Sequence, residues 1–366
     1  DQFIGALSTT RSQFYPQIGY NADASSNRSS RVGQPPIPAG GDPYYTLYRG
    51  ALGAQWQIDL FGRIRRQSEA AQAQVYASEQ GRRGVVLSVV ASVAASYIGL
   101  RALDRQLEIA QATAKNYADT KRIFDLRFAG GVASQVEVAQ VESQYQQALA
   151  AIPAFEQRVA AQENLISVLL GRNPGPIARG KTIDELIAPA IPGGLPSTLL
   201  ERRPDILQAE QNLIAANANI GVAKSLYFPT LSITGLLGSV STAFGDFLSG
   251  PAAAWSVAAG LAGPVFTFGG IEGQVNTAEG GQREALAFYQ QTILGAFRET
   301  NDALVGSVKT RQAAEAQARR VAALREFARL SRLRFDNGYA GYLEVLYAEN
   351  ELFGAELSAV TAQADR

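Results

Sequence analysis

The residues best placed for chemistry are glutamates that follow two similar glycine-containing turns. They are Glu137 and Glu142 after the first turn, and Glu344 and Glu349 after the second. Carboxylates gathered in a narrow pore select cations and repel one another. A glutamate in the first turn of a helix is also favoured by the helix dipole while it simply faces water. These places would bring carboxylates together if several copies of the chain met there, and otherwise they are ordinary helix starts.

The composition excludes most kinds of catalytic site. His, Cys and Met are all absent, so no Ser-His-Asp triad, zinc–thiolate site or cysteine nucleophile can form, and the usual ligands of Cu(I) and Ag(I) are missing. The glycines at Gly269, Gly270 and Gly273 do not form a nucleotide-binding loop, and no P-loop occurs. We predict no enzyme activity and no metal or cofactor. The lack of an initiator Met predicts a mature chain or a fragment.

The charge balance is neutral, with 33 basic and 33 acidic residues. A nucleic-acid-binding protein is usually strongly basic, so nucleic acid is not an expected partner. Charged residues make up 18% of the chain, below the usual value of about 25%, which is unlike a disordered charged tail.

The chain contains an internal duplication. Residues 127–150 and 334–357 share 8 of 24 identical positions at a spacing of 207. Upstream, Phe14-Tyr15-Pro16 matches Tyr227-Phe228-Pro229 at a spacing of 213. The difference of six residues is expected in the Ser-, Gly- and Pro-rich loop Asn27–Pro43.

Each copy begins with a predicted β-hairpin. Apolar and polar residues alternate over about ten residues per strand, which is typical of a strand with one apolar face and fits the length of a membrane-spanning β-strand. A soluble hairpin is the alternative. The residues expected to face lipid are Tyr48, Leu52, Trp56, Trp255, Val257 and Leu261.

A long proline-free helix is predicted after each hairpin, over residues 62–128 and 269–335. Each would span about 67 residues, or about 100 Å at 1.5 Å per residue. The uncharged stretch Gly84–Leu100 falls inside the first helix, and we expect it to be buried rather than to span a membrane. Glycines end each long helix, and Ser134 with Glu137 has the spacing of a capping box for the helix that follows.

Four predicted strands cannot close a barrel alone, and open sheet edges are not tolerated in a bilayer. If the hairpins cross a membrane, several chains must therefore combine them, since the smallest single-chain barrels have about eight strands. Helices of this length need to pack side by side in a larger assembly. The predicted parts are a first hairpin (14–60), a first helical pair (61–170), an inter-repeat segment (171–203), a connecting helix (204–226), a second hairpin (227–268) and a second helical pair (269–366).

Three stretches resemble a known family. They are Leu199–Ile206 (LLERRPDI), Tyr227–Gly235 (YFPTLSITG) and the two Arg-Phe…Gly turns that are each followed by Glu-Val. The chain resembles the TolC family of outer-membrane efflux channels, most closely its OprM/NodT-like lipoprotein branch, over essentially its whole length. The lipidated N-terminal Cys of that branch has no counterpart in this sequence.

The resemblance implies a fold that is mainly α with membrane β: a homotrimer whose four strands per chain form a twelve-stranded barrel in outer-membrane lipid, continued by a periplasmic α-helical barrel. The inter-repeat segment would belong to an equatorial belt. The resemblance also implies that the protein lies in the outer membrane of a Gram-negative bacterium and reaches into the periplasm. Its partners would be a periplasmic adaptor protein and an inner-membrane pump, and it would conduct drugs or other small molecules passively to the exterior.

The family pattern also implies roles for the turns. They would contact the adaptor and narrow the pore, the contact residues being Arg127, Gly131, Ser134, Arg334, Gly338 and Gly341. Glu344 falls where relatives often carry an acidic gate residue, and Tyr347 replaces a second acidic residue, which predicts an aromatic constriction beside a charged one. The gate candidates are Glu344, Tyr347, Glu349 and Glu137.

Two alternatives remain open at this stage. A type I protein-secretion channel shares the fold, and a coiled-coil scaffold shares the long helices. The alternating hairpins with Trp and Tyr favour a membrane channel over a scaffold.

Overall fold

A computed structural model describes residues 1–30, 32, 41–187 and 201–366. Most of the loop Asn27–Pro43 that contains the expected length difference lies outside the described residues, as do residues 188–200 of the inter-repeat segment. The helices and strands are α1 (Gln2–Ser12), β1 (Gln17–Arg28), β2 (Tyr44–Ile58), α2 (Arg63–Ala129), α3 (Gln135–Leu169), α4 (Pro204–Ser225), β3 (Thr230–Ser241), β4 (Ala253–Ala262), α5 (Gly270–Asp336) and α6 (Tyr342–Ala364).

The duplication predicted from the sequence is visible in the boundaries of these elements. Helices α2 and α5 are both 67 residues long, and both their first and last residues differ by the spacing of 207. Helix α6 begins at the same spacing after the start of α3. Strands β1 and β3 begin, and helices α1 and α4 end, at the upstream spacing of 213. The two long helices are present as predicted, without proline in either.

The four strands form one antiparallel sheet in the order β1-β2-β3-β4. The two predicted hairpins therefore lie side by side, and β2 pairs directly with β3. The register places Tyr20, Leu52, Leu237 and Trp255 in one row across the sheet. Because side chains alternate along a strand, this row defines one face, which is apolar. A row on the opposite face contains Gln55, Thr234 and Ala258.

The chain divides into two compact units, Asp1–Gly84 with Ser197–Gly295, and Val85–Pro196 with Ala296–Arg366. The first unit contains the sheet and a contact between two helices that is formed by small side chains. Ala70 and Ala73 of α2 are buried against Ala215 and Ala218 of α4. Side chains this small allow two helix backbones to approach closely.

The second unit has its largest core where four helices meet beside the two turns. Tyr117 and Phe124 of α2, Val141 of α3, and Tyr342 and Val345 of α6 are all buried in this core. A 3₁₀ turn at Ile183–Glu185 carries a capping box from Thr182. Its Ile183 packs with Ala102, Ile109 and Val360.

The uncharged stretch Gly84–Leu100 lies within α2 as predicted, but the expectation that it is buried is wrong for the single chain. Helix α2 contains a window long and apolar enough to cross a membrane by length and composition alone, and only 17% of that window is buried. Val85, Val86, Leu87 and Val90 are exposed. The prediction of burial rested only on the apolar composition of the stretch. Within one chain, no other element packs over most of this helix surface.

Candidate functional site

The first candidate site is formed by the two helix–turn–helix connections of the second unit, which have the same backbone geometry. In the first, Gly131 has φ of 73°, and the N–H of Val132 donates to the carbonyl of Arg127 at 2.8 Å. In the second, Gly338 has φ of 75°, and the N–H of Tyr339 donates to Arg334 at 2.9 Å. The left-handed conformation that ends each helix favours glycine, which explains the residue type at both positions.

The glutamates at equivalent places after these turns have different partners. Glu137 forms the predicted capping box: its Oε2 accepts from the Ser134 N–H at 2.8 Å, and the Ser134 hydroxyl accepts from the Glu137 N–H at 3.3 Å. The N-cap residue of helix α6 is instead Gly341, which has no side chain to act as a cap. Glu344 consequently pairs with the guanidinium of Arg334 across the turn, at 2.9 Å.

Tyr347 is an exposed aromatic residue on α6. Its ring lies 6.4 Å from that of Phe327 on α5, edge to face. It is one turn beyond Glu344, so the two side chains lie on the same side of the helix. An acidic and an aromatic group are thereby placed next to each other on a surface that the single chain leaves open.

Glu349 has a more enclosed environment than the other gate candidates. Its carboxylate accepts from Arg332 of α5 at 3.4 Å, near the buried rings of Tyr117 and Tyr342. Burial raises the pKa of Glu349, although the charge of Arg332 opposes this shift. Burial, and then the charge of Glu349, also raises the pKa of Tyr342 to about 12.

The turns are surrounded by aromatic and exposed apolar side chains. The Arg127 guanidinium lies over the ring of Phe335, 5.2 Å from its centroid, so the end of α2 contacts the end of α5. Exposed apolar residues occur at equivalent places in the two copies, and sequence reasoning missed them: Val132 and Tyr339, Val136 and Leu343. The repeat itself was the signal that could have identified them, since each pair is spaced by 207.

The second candidate site is the apolar face of the sheet. The strand register puts all six residues predicted to face lipid on this face. Leu52, Trp255, Val257 and Leu261 are exposed. Tyr48 contacts Phe244 edge to face at 5.5 Å, and the Trp56 indole N–H donates to the carbonyl of Phe14 at 2.9 Å.

A sheet with one exposed apolar face, combined with paired long helices, is the subunit fold of an outer-membrane channel. The family model for outer membrane efflux proteins matches residues 6–172 and 195–366. The chain belongs to the outer membrane efflux protein family. It is therefore a component of an efflux system, and it lies in the outer membrane of a Gram-negative bacterium and reaches into the periplasm.

Individual relatives agree over most of their length. The solvent efflux pump outer membrane protein SrpC of Pseudomonas putida is 30% identical over 357 residues, covering 97% of this chain and 75% of that protein. The cation efflux system protein CusC of Escherichia coli strain K12 is 30% identical over 341 residues, covering 93% and 73%. A crystal structure of a membrane protein from Pseudomonas aeruginosa matches with a TM-score of 0.92 and 29% identity, covering 100% of this chain and 85% of that one.

Proposed function

We propose that three copies of this chain form a closed channel that serves as the exit duct of a tripartite efflux system of the RND type. The observation that carries this proposal is the four-stranded sheet, which has an exposed apolar face and two outer strands, β1 and β4, each paired on one side only among the described residues. In a bilayer such edges must be paired, because no water is available to their N–H and C=O groups. Twelve strands from three chains satisfy that requirement.

The parts of the chain have separate roles in this proposal. Residues 14–60 and 227–268 form the barrel, with its apolar face towards lipid. The helical pairs in 61–170 and 269–366 form the wall of a periplasmic tunnel, the helix 204–226 leads into the second hairpin, and segment 171–203 belongs to a belt around the tunnel. The exposed apolar residues of α2 and α5, such as Val85, Val86, Leu294 and Phe297, are then covered by neighbouring copies.

The transported compounds are drugs or other small molecules. SrpC is named for solvent efflux and CusC for cation efflux, so related chains serve chemically different cargoes. In our proposal the chain itself catalyses no reaction. An inner-membrane pump supplies the energy, and the duct conducts passively.

The two turns are the proposed contact with a periplasmic adaptor. Each subunit presents two backbone turns of the same geometry, so a trimer presents six similar sites, which suits an adaptor ring with six-fold symmetry. The apolar pairs Val132 with Tyr339 and Val136 with Leu343 would supply the contact area at each site. The predicted contact residues, which lie in or beside the same turns, are Arg127, Gly131, Ser134, Arg334, Gly338 and Gly341.

The pore gate is proposed at Glu344 and Tyr347. Glu344 has an exposed ionic partner in Arg334, and Tyr347 is open to solvent, so both can respond to the width of the pore. Glu137 and Glu349 were predicted for the same role. The capping box holds the first, and the cluster around Arg332 holds the second, so we assign them a smaller contribution.

The proposal is tested in cells that lack their own outer-membrane duct but contain a matching adaptor and pump. We expect the chain to restore resistance to toxic organic compounds. Gly131→Ala and Gly338→Ala should reduce that resistance while the protein still inserts, because a side chain at positive φ distorts the turn at a cost of about 1 kcal/mol or more. Gly130→Ala is the matched control, since Gly130 lies in the same turn without positive φ.

Two results would contradict the proposal. Full resistance with both variants would remove the docking role of the turns. Restored secretion of a protein substrate without restored resistance would favour a type I secretion channel instead.

A further inference from the structure

The turn that links β3 to β4 bends over the apolar face of the sheet. It comprises residues 242–252 and lies at the end of the strands opposite to the end that is joined to the helices. Within this turn the ring of Phe244 contacts Tyr48 of β2 edge to face, with centroids 5.5 Å apart. Tyr48 is on the same face as Leu52, because residues an even number of positions apart point to the same side of a strand.

A second aromatic ring of the turn lies where β2 has a glycine. A Cβ added to Gly50 would lie 2.7 Å from the Cζ atom of Phe247, so the Phe247 ring fills the space above Gly50. Gly50 is two positions from Tyr48 and therefore belongs to the same face. Two separate contacts thus attach the turn to the apolar face of β2.

The polar face of the sheet has a different character at the same level. There Asp23 of β1 is opposite Arg49 of β2. The adjacent pair on the apolar face is Ala24 opposite Tyr48. The aromatic rings of the turn lie beside this second pair, so the turn is placed on the side that the proposed barrel turns towards lipid.

An open groove of about 310 Å³ lies between the turn and the first two strands. It is lined by small side chains of β1 and by aromatic rings: Ala22, Ala24, Tyr48, Phe244 and Phe247. Asp23 and Arg49 also border the groove, although by alternation they belong to the opposite face. The small side chains of β1 leave a floor on which a slender apolar chain can lie.

Two apolar residues of the turn lack cover. Phe244 is 74% exposed and Leu248 is 90% exposed. On the same face of the sheet, Trp255 of β4 is exposed as well. Contiguous exposed apolar side chains indicate an interaction surface. Because Phe244 and Leu248 continue the surface that the proposed barrel presents to lipid, hydrocarbon is the occupant that fits them.

The backbone of the turn forms hydrogen bonds within the turn itself. The N–H of Phe247 donates to the carbonyl of Phe244 at 3.2 Å, and the N–H of Ser249 donates to the carbonyl of Asp246 at 3.0 Å. The Ser249 hydroxyl donates to the same carbonyl at 2.6 Å. Unpaired backbone groups are costly where water is scarce, so this internal bonding suits a turn that approaches lipid.

The level of the turn fits the outer boundary of a bilayer. From Tyr48 to Trp56 strand β2 rises about 27 Å, at about 3.4 Å per residue. At the usual tilt of about 40° this corresponds to a height of about 21 Å, close to the apolar band of about 25 Å that aromatic girdles border in membrane barrels. Trp56 lies at the end next to the helices, so Tyr48 and Phe244 belong to the outer girdle.

We propose that Phe244 and Leu248 enter the outer leaflet of the membrane, and that the groove beside Phe244 holds an acyl chain of an outer-leaflet lipid. This inference rests on the proposed barrel with its apolar face towards lipid. The turn between β3 and β4 is then a lipid anchor that fixes the depth of the barrel, and not a lid over the pore.

Tryptophan fluorescence in vesicles of brominated phosphatidylcholine tests the contact, because bromine quenches emission only at short range. The chain has two tryptophans, Trp56 and Trp255, and replacing both by Phe gives a background without tryptophan. In the full chain with this background, the Phe244→Trp and Leu248→Trp variants each carry one reporter. Both reporters should lose most of their emission when the bromines lie near the headgroups, and less when the bromines lie deep in the acyl chains.

Two control reporters accompany this experiment. The protein with Trp56→Phe alone retains Trp255 on the apolar face, and bromines deep in the acyl chains should quench it more than bromines near the headgroups. Arg49→Trp in the background without tryptophan places a reporter on the polar face at the level of the turn. Neither lipid should quench it strongly. Circular dichroism confirms that the sheet is intact in every variant.

The outcomes separate this inference from the proposed function. Reporters at positions 244 and 248 that acrylamide quenches from water, and that brominated lipid does not, overturn the lipid anchor. Quenching of Trp255 by lipid in the same experiment leaves the lipid-facing barrel intact. A Trp255 that neither brominated lipid quenches contradicts the barrel itself.

The groove is tested by filling it. Purified protein incubated with brominated phosphatidylcholine should retain bound lipid in native mass spectrometry, and Ala24→Phe should retain less because its ring occupies the groove. Ser25→Phe is the matched control, since the next residue of β1 points to the opposite face. Equal amounts of retained lipid in the two variants would overturn the acyl-chain site.

Discussion

Glu137 and Glu344 show how one neighbouring residue decides what an acidic side chain does. They occupy equivalent places after equivalent turns, but Ser134 precedes one and Gly341 precedes the other. The serine recruits Glu137 into a capping box, whereas the glycine leaves Glu344 to pair with Arg334. In our proposal, Glu344 of the second copy is therefore the carboxylate that contributes to the gate.

We predict that the double variant Glu344→Gln with Tyr347→Ala raises the single-channel conductance and weakens the cation preference in planar lipid bilayers. The first change removes negative charge from the constriction, and the second removes an aromatic ring. Glu137→Gln is the control and should have a smaller effect, because its carboxylate caps α3. Unchanged current and ion selectivity in the double variant would remove Glu344 and Tyr347 from the gate.

Glu349 should make the stability of the protein depend on pH. Its folded-state pKa is raised by burial, so the folded protein binds this proton more readily than the unfolded chain. By linkage, the buried charge of Glu349 lowers the free energy of unfolding at pH values above its folded-state pKa. This destabilisation disappears at pH values below the pKa of the unfolded chain, about 4.5, because Glu349 is then protonated in both states. We expect Glu349→Gln to raise Tm at pH 7 and to have little effect at pH 4.

Glu142→Gln is the matched control for that experiment. Glu142 is the duplicated equivalent of Glu349, but its side chain is more exposed and pairs with Lys121 at 3.3 Å. It should not reproduce the gain at pH 7. A lower Tm for Glu349→Gln at pH 7 would show that the pairing with Arg332 outweighs the cost of burying the charge.

At the scale of the elements, the strands separate an apolar from a polar face. We predict that Leu52→Arg and Leu261→Arg impair insertion and assembly, since a lipid-facing Arg near mid-membrane costs about 2–4 kcal/mol. Gln55→Arg and Ser256→Arg are controls on the opposite face of the same strands. Heat-resistant oligomer in isolated outer membranes is the measurement. Normal insertion of both leucine variants would show that the apolar face does not meet lipid.

The elements were largely predictable from the sequence because their signals are local. Alternation along the strands, the proline-free length of α2 and α5, and the glycines at the turns can each be read from one continuous stretch of sequence. The pairing of β2 with β3 was not predicted, since it joins residues nearly 180 positions apart, such as Trp56 and Ile233. The exposure of Val85 and its neighbours was also missed, because apolar composition does not reveal which surface a second chain would cover.

The candidate site was predictable to a different degree. The turns follow from the repeat, the capping box of Ser134 follows from its spacing to Glu137, and the common face of Leu52 and Trp255 follows from period-two alternation. The pairing of Glu344 with Arg334 depends on how α5 and α6 lie against each other. The sequence alone provides no distance between residues of different helices.

At the scale of the whole molecule, the account depends on closure by three copies. One chain supplies four strands, an apolar face and two outer strands that are each paired on one side. A pore enclosed by protein requires the remaining strands to come from other copies. The number of chains per particle is thus the central quantity, and the proposed gate and docking surface both depend on it.

The most direct test is the mass of the full-length protein purified from outer membranes in mild detergent, measured by native mass spectrometry, with circular dichroism to confirm that the sheet is intact. Our account predicts a particle of three chains, each of 39.0 kDa before any additional residues or modifications. A particle of one chain with an intact β signal would contradict it.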